Sequence, residues 1–273
     1  MRQIYNAVVR PAMTYGAAVW YSPSPVAGSP GRKHKAKGPV AKLISTQNKC
    51  LRAVAGAYRA TPISVLEMET HTPPLDLFLD AKLAKFRLRH KQSGMEVLVS
   101  MACARIRSKL QRRRTPSPTT GQRRSWWVDA WLRQGRTQAG QQSSSAKQVL
   151  LQTWRQRWDA KRPEWGLIRV GPPREGTIKI YAGLHKAESA VMTQIRTGRI
   201  GLTAFLNKAR VPDFPSPVCQ CGRARETAQH IIVHCDRSTA ARNKLADPRT
   251  GGVNLKSLLS SAAGAQCLAK WFI

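Results

Sequence analysis

Pro217-Val-Cys219-Gln-Cys221-Gly222-Arg223-Ala-Arg225-Glu-Thr227-Ala-Gln-His230-Ile-Ile-Val-His234-Cys235 is a C-x-C-x8-H-x4-C array. Three thiols and an imidazole are the donor set of a closed tetrahedral metal site, and zinc is the ion they suit. With all four positions taken by protein, no open coordination position remains for chemistry, so the expected role is structural. Cys219 and Cys221 are two apart, which in an extended segment puts both thiols on one side. Gly222 allows the tight turn that follows and lets backbone N–H groups approach the sulfurs. Thr227 is the expected N-cap of a helix starting at Ala228. His230 and Cys235 then diverge modestly unless that helix stops before Cys235, because one α-turn is about 3.6 residues. His234 competes with His230 for the fourth position, and His230 is preferred because it keeps four residues between the last two ligands. Zinc binding in such small modules supplies on the order of 10 kcal/mol of folding free energy.

The charge points to a partner. With 46 Lys and Arg against 14 Asp and Glu, the 273-residue chain carries a formal net charge of +32. A polyanion is the expected partner, and nucleic acid is favoured over an anionic membrane. The basic residues are spread along the chain, and no helix opposes a broad apolar face to a purely basic one. No apolar run of about 18 residues exists and no signal peptide opens the chain, so an intracellular protein, nuclear or cytoplasmic, is expected. The isolated Cys50, Cys103 and Cys267 do not read as a disulfide framework.

Outward from the cysteine array the pattern is mainly α. Residues 3–21 read as a short helix ending near Arg10, a turn, and a second helical piece; Ser22 to Val40 reads as a flexible basic loop. Helical spacing follows over Ala41–Tyr58. Thr61-Pro62 opens a short helix through Glu69, and Leu75, Leu79, Leu83 and Phe86 form a core-facing stripe. Arg105, Arg107, Lys109, Arg112, Arg113 and Arg114 form a basic run in a Trp- and Arg-rich middle. Interleaved arginine and tryptophan could clamp phosphates and stack bases, although Val149, Leu150, Trp154 and Trp158 also read as the buried stripe of one helix. Thr177 to Tyr181 reads as a short strand or extended lead-in. A helix bearing Leu184, Ala187, Val191, Met192 and Ile195 then ends at Gly198, and Leu202–Ala209 is a second short helix.

Two stretches resemble one family. Gln3-Ile-Tyr-Asn-Ala-Val-Val-Arg-Pro-Ala-Met-Thr-Tyr-Gly-Ala-Ala-Val-Trp20 is similar to the segment just after the polymerase palm in reverse transcriptases of LINE-type, non-LTR retrotransposons. Gln47–Pro62 and Leu66-Glu-Met-Glu69 resemble their thumb helices. Lys186-Ala-Glu-Ser189, Gln194-Ile-Arg-Thr-Gly198 and the cysteine array resemble their C-terminal zinc knuckle, in the form carried by fungal genomes. The resemblance covers about residues 1–92 and 180–236. It implies a knuckle and helices that contact the element's RNA or its DNA target during target-primed reverse transcription.

The departures are as informative. The family's palm uses a Tyr-x-Asp-Asp motif to hold two metals for phosphoryl transfer, and this chain has no Asp-Asp pair. Residues 93–180 hold only Glu96, Asp129, Asp159, Glu164 and Glu175, without the carboxylate cluster of an RNase H domain. The expected protein is therefore a truncated, non-enzymatic tail with no catalytic residues and no small-molecule substrate. Its expected parts are a thumb-like helical region (1–92), a basic, partly disordered tether (93–180), a helix pair with the CCHC knuckle (181–245) and a helical tail (246–273). Nucleic-acid contact is expected from the arginines and lysine of the basic run and from Arg196, Arg223 and Arg225. The alternatives are an accessory acting in trans with a full-length reverse transcriptase, or a decayed reading frame. The last predicts exposed apolar surface at Tyr5, Tyr15, Val19, Trp20 and Phe86.

Overall fold

The computed structural model describes residues 1–21, 38–90, 94–110, 146–161, 172–247 and 250–273. The fold is mainly α, and among the described residues the only β pairing is a single antiparallel bridge between Val218 and Arg225. Among them, too, no helix is long and apolar enough to cross a membrane. The chain divides into two compact units, Met1–Asn48 with Pro73–Ala160, and Lys49–Thr72 with Lys161–Ile273.

In the first unit, helical segments Arg2–Ile4, Tyr5–Val9 and Arg10–Met13 follow one another directly. Pro11 was expected to end the helix, and it does not. Proline has no N–H to donate and its ring crowds the carbonyl four residues back. Here the preceding turn is widened to a π turn, with Arg10 N–H reaching Tyr5 O, and the helix continues to Met13. Gly16 then turns the chain in a left-handed conformation (φ 60°) into Ala17–Trp20. The core joins Ala17, Tyr21, Leu75, Leu79, Leu83, Val149, Leu150 and Trp154, with Met13, Leu43, Ile44 and Phe78 packed against it. The expected stripe on Leu75–His90 is thus buried at Leu75, Leu79 and Leu83 and half-buried at Phe86.

Helix Ala146–Lys161 contributes to that core, with Trp154 and Trp158 buried, so these tryptophans are packing residues and not stacking surfaces. Polar side chains at the edge of this core pair across long sequence separations. Tyr5 Oη donates to Gln47 Oε1 at 2.7 Å, and Gln47 Nε2 donates to Pro73 O at 3.2 Å. Lys82 Nζ donates to Thr14 O at 2.6 Å, and Arg157 Nη1 to Asp76 Oδ2 at 2.8 Å. Of the residues expected to be exposed, Tyr15 (84%) and Trp20 (37%) are, Val19 and Phe86 are half-buried, and Tyr5 is buried. Ile4 and Val8 are exposed in addition.

The second unit gathers Met192, Ile195, Ile232, Leu245, Leu259, Ala265 and Leu268 into its core. Helix Lys186–Thr197 packs on Ala262–Phe272, which packs on Leu255–Ser260. Residues 246–273, expected as a tail, therefore complete a core. Thr177–Tyr181 holds a helical turn, Gly176–Lys179, in place of an extended lead-in. Pro62, not Thr61, is the N-cap residue of Ile63–Glu69, and the Thr61 hydroxyl is buried without a partner among the described residues. The cap shifts because Pro62 holds the extended backbone a cap requires (ψ 136°). Gly198 ends its helix in the left-handed conformation as expected.

The observed division departs from boundaries at 92/93, 180/181 and 245/246. Long-range pairing explains this. Glu69 receives two bonds from Arg196 Nε, at 3.1 and 3.0 Å, and accepts Tyr181 Oη at 2.7 Å, all in the second unit. Both side chains of the ion pair are almost fully buried. Removing the carboxylate leaves a buried guanidinium uncompensated, so Glu69→Ala is expected to cost about 3–5 kcal/mol, read as a loss of stability in urea denaturation.

A second buried acid gives a pH prediction. Tyr21 Oη donates to Asp80 Oδ1 at 2.6 Å. Burial, aided by the charge of Asp76 and opposed by the Tyr21 bond and Arg157, pushes the Asp80 carboxyl up to about 7. A raised carboxyl pKa means the folded state holds the proton longer than the unfolded one. Stability from this group is therefore full below the unfolded value of about 4 and falls as pH rises toward 7. Asp80→Asn, which keeps an acceptor without the charge, should flatten the decline between about pH 4 and 7 in urea midpoints.

Candidate metal centre

The donors sit on two short pieces of backbone. Cys219 N–H donates to Ala224 O at 2.8 Å and Glu226 N–H to Pro217 O at 2.9 Å, making a minimal hairpin. At its tip Gly222 N–H closes on Cys219 O at 2.8 Å, and Gly222 is left-handed (φ 75°), a conformation costly for any residue with a Cβ. The thiols of Cys219 and Cys221 are thus brought together by a turn, not by the strand alternation expected from their spacing.

The second piece begins at the expected cap, with His230 N–H donating to Thr227 Oγ1 at 3.1 Å. From there the helix widens into a π turn, His230–His234, and Cys235 N–H closes on His230 O at 2.8 Å. This five-residue closure brings His230 and Cys235 to the same side, where an ordinary α-turn would separate them. Ile232 is fully buried in the unit's core and Ala228 nearly so, which fixes the roll of the turn.

Cys219, Cys221, His230 and Cys235 place their donor atoms within 4.8 Å of one another, close enough to hold one metal ion. Cys219 Sγ lies 3.7 Å from Cys235 Sγ, and Cys221 Sγ lies 3.2 Å from His230 Nε2. Two sulfurs about 2.3 Å from a tetrahedral zinc are about 3.8 Å apart, and a sulfur and a nitrogen about 3.5 Å. The cluster is compatible with zinc on both pairs. His230 is buried and belongs to it, whereas His234 is exposed. All three cysteines are free thiols.

The thiols differ electrostatically. The Arg223 backbone N–H, with help from His230 and the other thiols, lowers Cys221 to about 6. Burial pushes Cys219 up to about 11, with hydrogen bonds to Cys221 and Cys235 adding to the rise. A cation among the sulfurs offsets that cost, as metals do when they deprotonate coordinating thiols outright. Around the cluster, the Arg242 guanidinium bonds to the Cys235 carbonyl and the Arg237 guanidinium to the Gln220 side chain. The spacing of Arg237 and Arg242 from Cys235 gave no signal of these contacts.

The expected nucleic-acid residues fare unequally. Arg223 and Arg225 are exposed on the hairpin, Arg223 paired with Asp236 at 2.9 Å. Arg196 is buried, committed to Glu69 and to the Leu259 carbonyl, and so presents no charge to a ligand. Arg105 is exposed on helix Met95–Leu110. Arg107 and Lys109 lie on the same helix with side chains outside the described set, and Arg112, Arg113 and Arg114 lie outside the described residues altogether, as do Trp126, Trp127, Trp131 and Trp165.

Comparison with protein-family models, with curated proteins and with solved structures returned no match.

The ligand assignment has a direct test in the Co2+-substituted protein, where tetrahedral thiolate coordination gives visible absorption. His230→Ala should weaken Co2+ affinity by tenfold or more and alter that absorption. His234→Ala should leave both within twofold.

Proposed function

We propose that this chain binds RNA or DNA through a zinc-stabilised CCHC knuckle and its flanking basic helices, with no catalysis of its own, as the C-terminal part of a LINE-type non-LTR retrotransposon reverse transcriptase. The observation that carries this reading is the closed Cys3His cluster with Arg223 and Arg225 exposed on the hairpin between its second and third ligands. A closed site organises a surface instead of activating a substrate. The charge supports the same reading: if each of the 14 carboxylates took a separate basic partner, 32 cations would remain for phosphates. The family assignment rests on the order of the resembling segments from Gln3 to Cys235. The palm carboxylates that would make the chain a polymerase are not among its 273 residues.

A second reading is a decayed, transposon-derived reading frame, or an accessory to a full-length reverse transcriptase. The exposure of Ile4, Val8 and Tyr15 in the first unit favours it, because apolar side chains in that number look for a partner.

Purified, unchelated protein should contain about one zinc per chain. It should bind single-stranded RNA or DNA with log affinity falling linearly in log salt, by about 0.7 per phosphate neutralised. The Cys219→Ser/Cys221→Ser double variant should lose the zinc and most of the affinity. Binding indifferent to both salt and metal would sink the reading.

A further inference from the structure

We propose that Tyr58 and Phe205 form a stacking platform for a base of an unpaired polynucleotide strand, an inference that rests on the nucleic-acid reading above and adds a specific contact to it. Tyr58 is 41% exposed, and its ring centre lies 5.4 Å from that of Phe205, with the planes inclined by 37°. The Arg199 guanidinium carbon sits 5.8 Å from the Phe205 ring centre, over its face. Arg59, the next residue after Tyr58, is exposed. A partly exposed aromatic pair with one guanidinium over Phe205 and an exposed arginine next in the chain offers both needs of a single strand, a π surface for the base and cations for the phosphates. Duplex bases are already stacked on one another, so the surface favours a strand whose bases are free.

The platform is held on both sides. Before Tyr58, the end of helix Pro39–Ala55 is clamped to helix Lys186–Thr197. Lys186 Nζ donates to Ala53 O at 2.6 Å and Val54 O at 2.7 Å, and Gln194 Nε2 donates to Gly56 O at 2.8 Å. Gly56 is left-handed (φ 62°), and a Cβ there would come within 2.3 Å of the Ala190 methyl, so the two backbones approach as closely as they can. On the other side, Phe205 belongs to helix Thr203–Lys208, whose first N–H groups bond to the knuckle hairpin. Thr203 N–H donates to Glu226 Oε2 at 2.8 Å and Ala204 N–H to Glu226 O at 3.4 Å. Glu226 follows exposed Arg225, so the helix carrying Phe205 is anchored to the metal hairpin next to its basic edge. An aromatic pair fixed this way stacks a base with little ordering cost.

The test uses the full, zinc-loaded chain and fluorescein-labelled strands of equal length: oligo(U), oligo(dT) and an abasic deoxyribose-phosphate strand. Tyr58→Ala should weaken binding to both base-bearing strands by about tenfold. It should leave the abasic strand, the salt slope and the zinc content unchanged, and Tyr58→Trp should restore binding. Arg59→Ala should instead reduce the salt slope by about 0.7 on all three strands. Comparison of oligo(U) with oligo(dT) assigns the strand to RNA or DNA. Unchanged affinity of Tyr58→Ala for the base-bearing strands, or an equal loss on the abasic strand, overturns the platform alone. Failure of the unaltered chain to bind any of the strands overturns the nucleic-acid reading with it.

Discussion

Cys235 lies five positions after His230, and an α-helix of ordinary pitch would turn their side chains away from each other. The π closure between Cys235 N–H and His230 O removes that conflict, and the gathering of the four donors depends on it. The closure is itself held from two directions. Thr227 satisfies an N–H at the entry, and Ile232 anchors the middle of the turn in the core. Ile232 shares that core with Met192, Ile195, Leu259 and Leu268, so the donor cluster is an extension of a helical body. A zinc ion would then tighten an arrangement that the packing has already begun, which differs from small zinc modules that hold no shape without metal.

The same body explains where the second unit takes its residues. Glu69 lies more than a hundred positions before Tyr181 and Arg196, yet all three meet in one buried network. Arg196 also bonds to the Leu259 carbonyl, so a single guanidinium joins three distant parts of the sequence. A buried ion pair of this kind adds less to net stability than its geometry suggests, because both charges lose their water. Breaking the pair is the costlier change, since it would leave a bare charge in the core. Segment Lys49–Thr72 is thereby assigned to the second unit despite its place early in the chain.

This sets what was legible in advance. The helices were, because amphipathic spacing and end signals are local; Gly198 stops its helix as its neighbours implied, and Leu75, Leu79 and Leu83 face the core. The donor set was legible as four residues, Cys219, Cys221, His230 and Cys235, which the fold brings close enough to hold one metal ion, with His234 exposed outside the cluster. The means of bringing them together was not. A turn at Cys219–Gly222 and a π closure at His230–Cys235 stand in place of the expected strand and α-helix, and both are held by backbone bonds and by the burial of Ile232 that donor spacing alone does not signal. Unit boundaries were illegible because they depend on Glu69, Tyr181 and Arg196 finding each other across long separations. Pro11 misled for a narrower reason. Its missing N–H was accommodated by widening one turn, an option that proline's general effect on helices does not reveal.

Arginine function follows from the same division between packing and surface. By composition Arg196 and Arg225 are equivalent contributors to the +32 charge. In the fold Arg196 is committed to carboxylate and carbonyl partners in the core, and Arg225 is exposed on the metal hairpin. The tryptophans divide likewise: Trp154 and Trp158 are core, although their setting among arginines suggested stacking. Tyr58 is an exposed aromatic of the second unit, and its ring partner Phe205 lies far along the chain. In a chain with this excess of charge, identifying the ligand-facing surface therefore means subtracting the cations and rings that the core has already used. In the second unit that subtraction leaves Arg223 and Arg225 on the hairpin and Arg59 beside the partly exposed Tyr58.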